Sequence, residues 1–275
     1  MPRPVIALLT DFGLRDHYVA AMKGVILGIA PDVTLVDITH QIAPQDVLSA
    51  ALELAACYRD FPPGSIFLVV VDPGVGTSRR PIGASAGGWV FVAPDNGVLA
   101  PVLEREGAAT VVELADGSHA RPEISRTFEG RDRFAPAAAW LARGTALREL
   151  GPPVATFARL DVPQPRIRER VVVGEIVKVD RFGNLISNID RRLLDAVSCT
   201  GTPVIRAGGH DIPHLVRTYA EAPRGAVCAL VGSGGFVEIA ANGGSAARLL
   251  DLGRGARIIA AADRSALLAA EDDRA

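Results

Sequence analysis

An excess of positive charge is the first thing this 275-residue sequence lacks. Its 29 Lys and Arg face 31 Asp and Glu, for a formal net charge of -2. Binding nucleic acid needs a basic face that neutralises phosphates, so that class is excluded. Long apolar runs are missing too. Asp, Arg, Gly or Pro interrupts each run before it reaches membrane-spanning length. The opening Met1-Pro2-Arg3-Pro4 enters a strand-like run at once, without a signal-peptide pattern. The three cysteines, Cys57, Cys199 and Cys228, are scattered and fit no zinc spacing. They read as buried small hydrophobes in a reducing, cytoplasmic setting. No internal repeat or low-complexity tract is present.

What is there is a 49% hydrophobic content, enough for a sizeable core in two domains or one large one. Runs rich in Val and Ile at 5–9, 33–38, 66–71, 89–93 and 110–114 suit strands buried on both faces. Helical spacing runs from Asp16 to Ala30, ending before Pro31, and from Gln45 to Asp60, with Pro44 as a first-turn residue. A further helix is expected from Arg133 to Arg143. The alternation predicts a three-layer, mostly parallel α/β domain over residues 1–150. Residues 151–170, with Pro152, Pro153, Pro163 and Pro165 among charges, read as a linker. Short strands at 171–179, 184–189, 203–206, 226–231, 236–241 and 256–261 predict a small antiparallel barrel or sandwich over 171–263. Residues 264–275 form a tail, helical or disordered.

Six short motifs stand out, most of them at the ends of apolar runs. They are Thr10-Asp11-Phe12-Gly13, Asp37-Ile38-Thr39-His40, Val71-Asp72-Pro73-Gly74-Val75-Gly76, Pro94-Asp95-Asn96-Gly97, Thr127-Phe128-Glu129-Gly130-Arg131-Asp132 and Asp180-Arg181-Phe182-Gly183-Asn184. Open α/β sheets present their ligand sites at the carboxyl ends of strands. Asp11 there suits a ribose diol or the cap of a turn. Asp72 leaves the most apolar run and needs a nearby cation to stay ionised. Arg79 is within reach across the turn, as catalytic partner or as structural ion pair. Asp95-Asn96-Gly97 reads as turn chemistry, and His40 as a structural histidine, a ligand or a base. No phosphate-loop Lys is present, which excludes nucleotide-triphosphate hydrolysis. The carboxylates with His40 leave a metal-dependent hydrolase open, although no His-x-His or paired-Asp ligand motif occurs.

Taken in order, the motifs resemble the S-adenosyl-L-methionine hydrolases (adenosine-forming), or SAM hydroxide adenosyltransferases. These are relatives of the fluorinase and chlorinase that make 5′-halo-5′-deoxyadenosine. The resemblance runs from Ile6 to near Ile259. It implies an N-terminal α/β domain, a C-terminal β-barrel and a homotrimer. Active sites would lie between the N-terminal domain of one subunit and the C-terminal domain of the next. The implied reaction is hydrolysis of S-adenosylmethionine, a small-molecule substrate, to adenosine and methionine, with no metal or redox cofactor. Asp11 matches the ribose-diol carboxylate. Asp72 and Arg79 match two members of the hydrolases' Asp-Arg-His set. Asp180 matches the residue that holds the methionine amine, and Ser233 a methionine-carboxylate contact. Phe182, Asn184 and Asn242 match adenine-side positions.

The resemblance also separates water from halide as nucleophile. Halogenases carry Tyr where Asp72 stands, and an anionic carboxylate repels halide by several kcal/mol at short range in a poorly hydrated site. The halogenase loop insertion has no room between Gly76 and Trp89, and Gly130 replaces the fluorinase's halide-contacting Ser. One position departs from the hydrolases. Their motif is usually Thr-Phe-His-Gly-Arg-Asp, and Glu129 stands at the His position. Three outcomes are open: a carboxylate working as base, a reorganised site, or a site that binds ligand without turnover.

Overall fold

The computed structural model describes residues 3–107, 109–197 and 201–272. Met1, Pro2, Cys199 and the end of the expected tail, 273–275, lie outside the described residues. The chain divides into two compact units, Met1–Asp161 and Val162–Ala275.

In the first unit the expected apolar runs become β1 (Val5–Thr10), β2 (Thr34–Thr39), β3 (Ile66–Val70), β5 (Trp89–Pro94) and β6 (Ala109–Glu113), with β4 (Pro81–Ala86) between the third and fifth. The sheet order is β2-β1-β3-β5-β4-β6. Neighbours β2, β1, β3 and β5 pair in parallel, and β4 runs antiparallel to both β5 and β6. Helices α1 (Tyr18–Ile29), α2 (Val47–Cys57), α3 (Ala100–Glu106) and α4 (Ala135–Ala142) cover the two faces. Leu9, Phe67 and Val69 pack with Leu54 of α2 and Leu103 of α3. Ile6, Leu8, Leu68 and Val70 turn the other way, towards Met22 and Ile26 of α1 and Ala138 of α4. Strands buried on both faces need continuous apolar sequence, and each buried Leu or Ile contributes about 2 kcal/mol. This is the three-layer, mostly parallel α/β arrangement expected.

Two elements of this unit, one strand and one α-helix, were invisible in the apolar pattern. Strand β4, Pro-Ile-Gly-Ala-Ser-Ala, is built from small residues. Helix α3 has only seven residues. Helix α2 also begins later than expected. Its cap is Asp46, whose carboxylate accepts the Ser49 N–H at 3.0 Å, so Pro44 precedes the helix.

The second unit contains β7 (Arg166–Arg168), β8 (Val171–Val179), β9 (Leu185–Asp190), β10 (Val204–Ala207), β11 (His210–Ile212), β12 (Val227–Val231), β13 (Phe236–Ala241) and β14 (Arg257–Ala261). Short helices α5 (Arg191–Val197), α6 (Ala246–Leu250) and α7 (Arg264–Asp272) punctuate them. The order β11-β10-β14-β8-β9-β13-β12 is antiparallel throughout. Long β8 pairs with β14 through its first half and with β9 through its second, which bends the sheet round one core. A bridge from Leu215 to Ala229 of β12 brings the end of the path back, and the barrel nearly closes. Residues 151–170 are shared between the units. Val154, Phe157 and Leu160 pack on the first unit's core, and β7 pairs with β8 in the second.

Candidate active site

Val71 is fully buried, and Asp72 follows it out of the sheet. The chain then turns back on itself. Val75 N–H donates to the Asp72 carbonyl at 3.3 Å, and Thr77 closes on the Gly74 carbonyl through its N–H at 3.1 Å and its hydroxyl at 2.6 Å. Gly76 sits at φ +76°, where a Cβ would also lie 2.5 Å from the Arg126 carbonyl oxygen. The turn returns Arg79 to Asp72. Arg79 Nε donates to Asp72 Oδ1 at 2.9 Å, and Nη2 donates to Oδ2, a bidentate pair. Nη1 donates to Glu129 Oε2 at 3.1 Å, and the guanidinium carbon lies 5.3 Å from the Phe134 ring centroid. Side-chain exposure is only 5% for Asp72, 10% for Arg79 and 12% for Glu129, so this is a dry ionic cluster. Burial works against the Arg79 charge, yet hydrogen bonds to Asp72 and the charges of Asp72 and Glu129 raise its pKa above the ordinary value.

Glu129 is delivered by an irregular helix start. Gly130–Phe134 forms a π-helical turn, with Ala135 N–H bonded to the Gly130 carbonyl. Such turns recur at functional sites. Asp132 fixes the approach. It is fully buried and accepts Arg131 Nε at 2.7 Å, Arg131 Nη2 at 2.8 Å and Ser125 N–H at 2.9 Å. Burial alone would raise its pKa; Arg131 and the Ser125 N–H outweigh that and hold it below the usual carboxylate range. One turn beyond Glu129, Arg133 anchors Nη1 on the Leu114 carbonyl at 2.9 Å. Its Nε lies 3.5 Å from Glu129 Oε2.

Asp11 stands at the end of β1, and its Oδ2 accepts the Gln45 N–H at 2.8 Å. Gln45 holds a left-handed φ of +68°, a strained conformation for a non-glycine residue. Beside Asp11, Phe12, Tyr18 and Phe128 form an aromatic cluster with centroids 5.1–6.0 Å apart. His40 belongs to the scaffold. Its Nδ1 lies 2.9 Å from Thr10 Oγ1, and its carbonyl accepts the Gly13 N–H at 2.7 Å. His40 Nε2 is 2.9 Å from Asp37 Oδ1 but misaligned for a hydrogen bond, and Lys23 donates to Asp37 Oδ2 at 2.7 Å. Asp95 is likewise structural, accepting Arg80 Nε at 3.0 Å and Ala158 N–H at 2.7 Å.

In the second unit Asp180 organises its own turn. Oδ1 accepts the N–H groups of Phe182 at 2.9 Å and Asn184 at 2.8 Å, and Oδ2 accepts Asn184 Nδ2 at 2.9 Å. The turn presents Phe182, 77% exposed, and buries Asn184. Ser233 is exposed in the turn between β12 and β13. Asn242 follows β13 and donates Nδ2 to the Ala222 carbonyl at 2.7 Å. Between these positions lies Glu238 of β13. It is buried, accepts Tyr219 Oη at 3.2 Å, and leaves no room for a Cβ on Gly232, next to Ser233. Burial first, and then the Asp180 charge, push its pKa up.

The structure therefore joins Asp72, Arg79 and Glu129 in one cluster, and gathers Asp180, Phe182 and Asn184 in one turn. Sequence reasoning missed three residues. Asn96 does serve its turn, accepting the Val98 N–H at 3.2 Å, but its Nδ2 also pins the Val71 carbonyl at 2.8 Å, directly before Asp72. Arg133 was seen only as the start of a helix. Glu238 had one available signal, a lone acid inside the apolar run Phe-Val-Glu-Ile-Ala. Among the described residues no three His, Cys, Asp or Glu side chains come together as a metal-ligand set. No helix among them is long and apolar enough to cross a membrane.

Residues 6–151 match the family model of the SAM hydroxide adenosyltransferase N-terminal domain, and residues 174–259 that of its C-terminal domain. An (R)-S-adenosyl-L-methionine hydrolase of Thermus thermophilus is 41% identical, over 92% of this chain and 97% of its own. A fluorinase of Nocardia brasiliensis is more distant, 31% identical over 89% and 92%. Among solved structures, an uncharacterized conserved protein from Thermotoga maritima superposes with a TM-score of 0.88 at 37% identity, over 93% of this chain and 99% of its own.

Proposed function

This chain belongs to the SAM hydroxide adenosyltransferase family, and from that premise we propose that it hydrolyses S-adenosyl-L-methionine to adenosine and L-methionine. The observation that carries the reading is the buried Arg79 guanidinium shared by Asp72 and Glu129. A water oxygen attacks ribose C5′ opposite the sulfur. The C5′–O bond forms as the C5′–S bond breaks, and the electron pair returns to sulfur, which departs as the neutral thioether of methionine. A sulfonium leaves readily, so the barrier falls mainly by positioning. Arg79 stabilises hydroxide character on the water. Glu129 accepts the water's proton and passes it to solvent. Asp72 holds the guanidinium through both oxygens.

Asp11 takes the ribose hydroxyls, Asp180 the substrate amine and Ser233 its carboxylate. Phe182, Asn184 and Asn242 serve the adenine side. Within the turn Asp180 Oδ1 already accepts two hydrogen bonds, whereas Oδ2 accepts one and keeps a lone pair for an ammonium. No step needs a metal or a redox cofactor. The same reading includes a cytoplasmic setting and a homotrimer whose subunits complete one another's sites, which sedimentation analysis checks.

The decisive experiment incubates pure protein with S-adenosylmethionine and a chelator and resolves the products by chromatography. Adenosine and methionine in equal amounts are expected. No adenosine across a broad pH range sinks the reading, and tight binding without product marks a binding protein. Activity lost to the chelator points to a metal-dependent hydrolase. Halide-dependent 5′-halo-5′-deoxyadenosine points to fluorinase chemistry.

A further inference from the structure

Glu129 brings a charge into a dry cluster, and the structure shows what stands against it. Asp72 and Glu129 are the two carboxylates, and Arg79 gives them three of its five N–H donors. Without another cation the set would carry a net negative charge at 5–12% exposure. A buried, uncompensated charge is among the most destabilising features a fold can carry. The fourth group is Arg133, four residues after Glu129 and within the π-helical turn. Its Nη1 is tied to the Leu114 carbonyl, which fixes the side chain on β6's far end. Its Nε is buried, has no hydrogen-bond partner among the described residues and lies 3.5 Å from Glu129 Oε2. A buried N–H without an acceptor is costly, so its closest carboxylate oxygen is where it gains most.

Glu129 Oε2 therefore faces two guanidinium groups, one already bonded and one just short of it. We propose that Arg133 is a positioning residue that balances the charge of Glu129 and holds its carboxylate in place while Arg79 exchanges Glu129 for the attacking water. The proposal rests on the hydrolytic reading for its catalytic half. As Arg79 turns a hydrogen bond towards water, Arg133 Nε closes on Oε2, and Glu129 stays aimed at the proton it must accept. Glu129 and Arg133 thus form one functional unit, in which neither residue is an isolated replacement.

The test is a double-mutant cycle with Arg133→Gln, Arg133→Lys and Glu129→Gln. Arg133→Gln should lower kcat by about tenfold or more and leave KM within about twofold, because the loss is confined to the transition state. Arg133→Lys should recover most of that kcat, since it keeps the cation. In the Glu129→Gln background, Arg133→Gln should cause no further loss of kcat. Thermal unfolding gives a readout independent of turnover: Arg133→Gln should lower Tm more in the wild-type background than in Glu129→Gln, where only the bond to the Leu114 carbonyl is lost. Equal losses in both backgrounds, or a wild-type kcat and Tm for Arg133→Gln, would overturn the proposal. A wild-type chain that forms no adenosine would sink the hydrolytic reading, while the Tm cycle would still decide the pairing.

Discussion

The candidate residues of the two units are prepared in opposite ways. In the first unit the charges neutralise one another out of solvent: Arg79 is held by Asp72 and Glu129, with Phe134 against its face. Such a cluster has its dipoles fixed before any ligand arrives, which is the requirement for electrostatic catalysis. In the second unit, Asp180 uses its carboxylate to shape a turn, and the turn thrusts Phe182 into solvent. An exposed aromatic ring offers contact area and selects by shape. The difference is one of preparation: one unit fixes charge in advance, and the other leaves an aromatic ring open to contact.

The largest test of this contrast is Asp72→Asn. It removes one anion from the dry cluster, and turnover should fall by roughly 100-fold or more, on the scale of losing one preorganised electrostatic group. Initial rates of adenosine formation decide it; a loss under about threefold would mean that the cluster is structural. Phe182→Ala should act on recognition. KM should rise by about tenfold with kcat nearly unchanged, and stability should move by no more than about 0.5 kcal/mol. An equal fall in kcat would erase the division of labour.

The smallest effect is on stability against pH, and one buried acid from each unit should respond with opposite sign. Asp132 has a lowered folded pKa, so its contribution is present above the unfolded value of about 4 and is lost as pH falls through the folded pKa. Glu238 has a raised folded pKa, so the folded chain holds the proton more tightly and stability declines as pH rises from about 4 through that pKa. Glu238→Gln should accordingly raise Tm at neutral pH and leave it unchanged near pH 3, whereas Asp132→Asn should lower Tm at neutral pH. Melting curves across pH for the two variants check both signs.

Much of the scaffold was legible because burial on both faces forces continuous apolar runs, and β1 and β3 are such runs. Strand β4 was not, because it fills a narrow space with Gly, Ala and Ser, which carry no strand pattern. Asp72 and Arg79 were legible as a pair since a tight turn of glycines separates them. That Glu129 joins them rested on resemblance, because Arg79 lies 50 residues away. The long-range contacts of Arg133 and Asn96 had no signal. Their roles are hydrogen bonds to distant carbonyls, Leu114 and Val71, and only folding brings those near. Asp180 looked like a ligand-facing acid, yet the backbone of its own turn takes much of its capacity, a cost that residue types do not reveal.

The π-helical turn at Gly130–Phe134 has a consequence of phase. A helix that must dock Phe134, Ala135 and Ala138 against the sheet fixes the angle at which every earlier residue points. The wider turn admits one extra residue, and each residue advances a helix by about 100°. It is therefore a clutch between two rotations, one set by the core and the other by the ionic cluster. Tightening it to an ordinary α turn with no residue removed would leave the docked end seated and swing Glu129 about 100° out of line with Arg79.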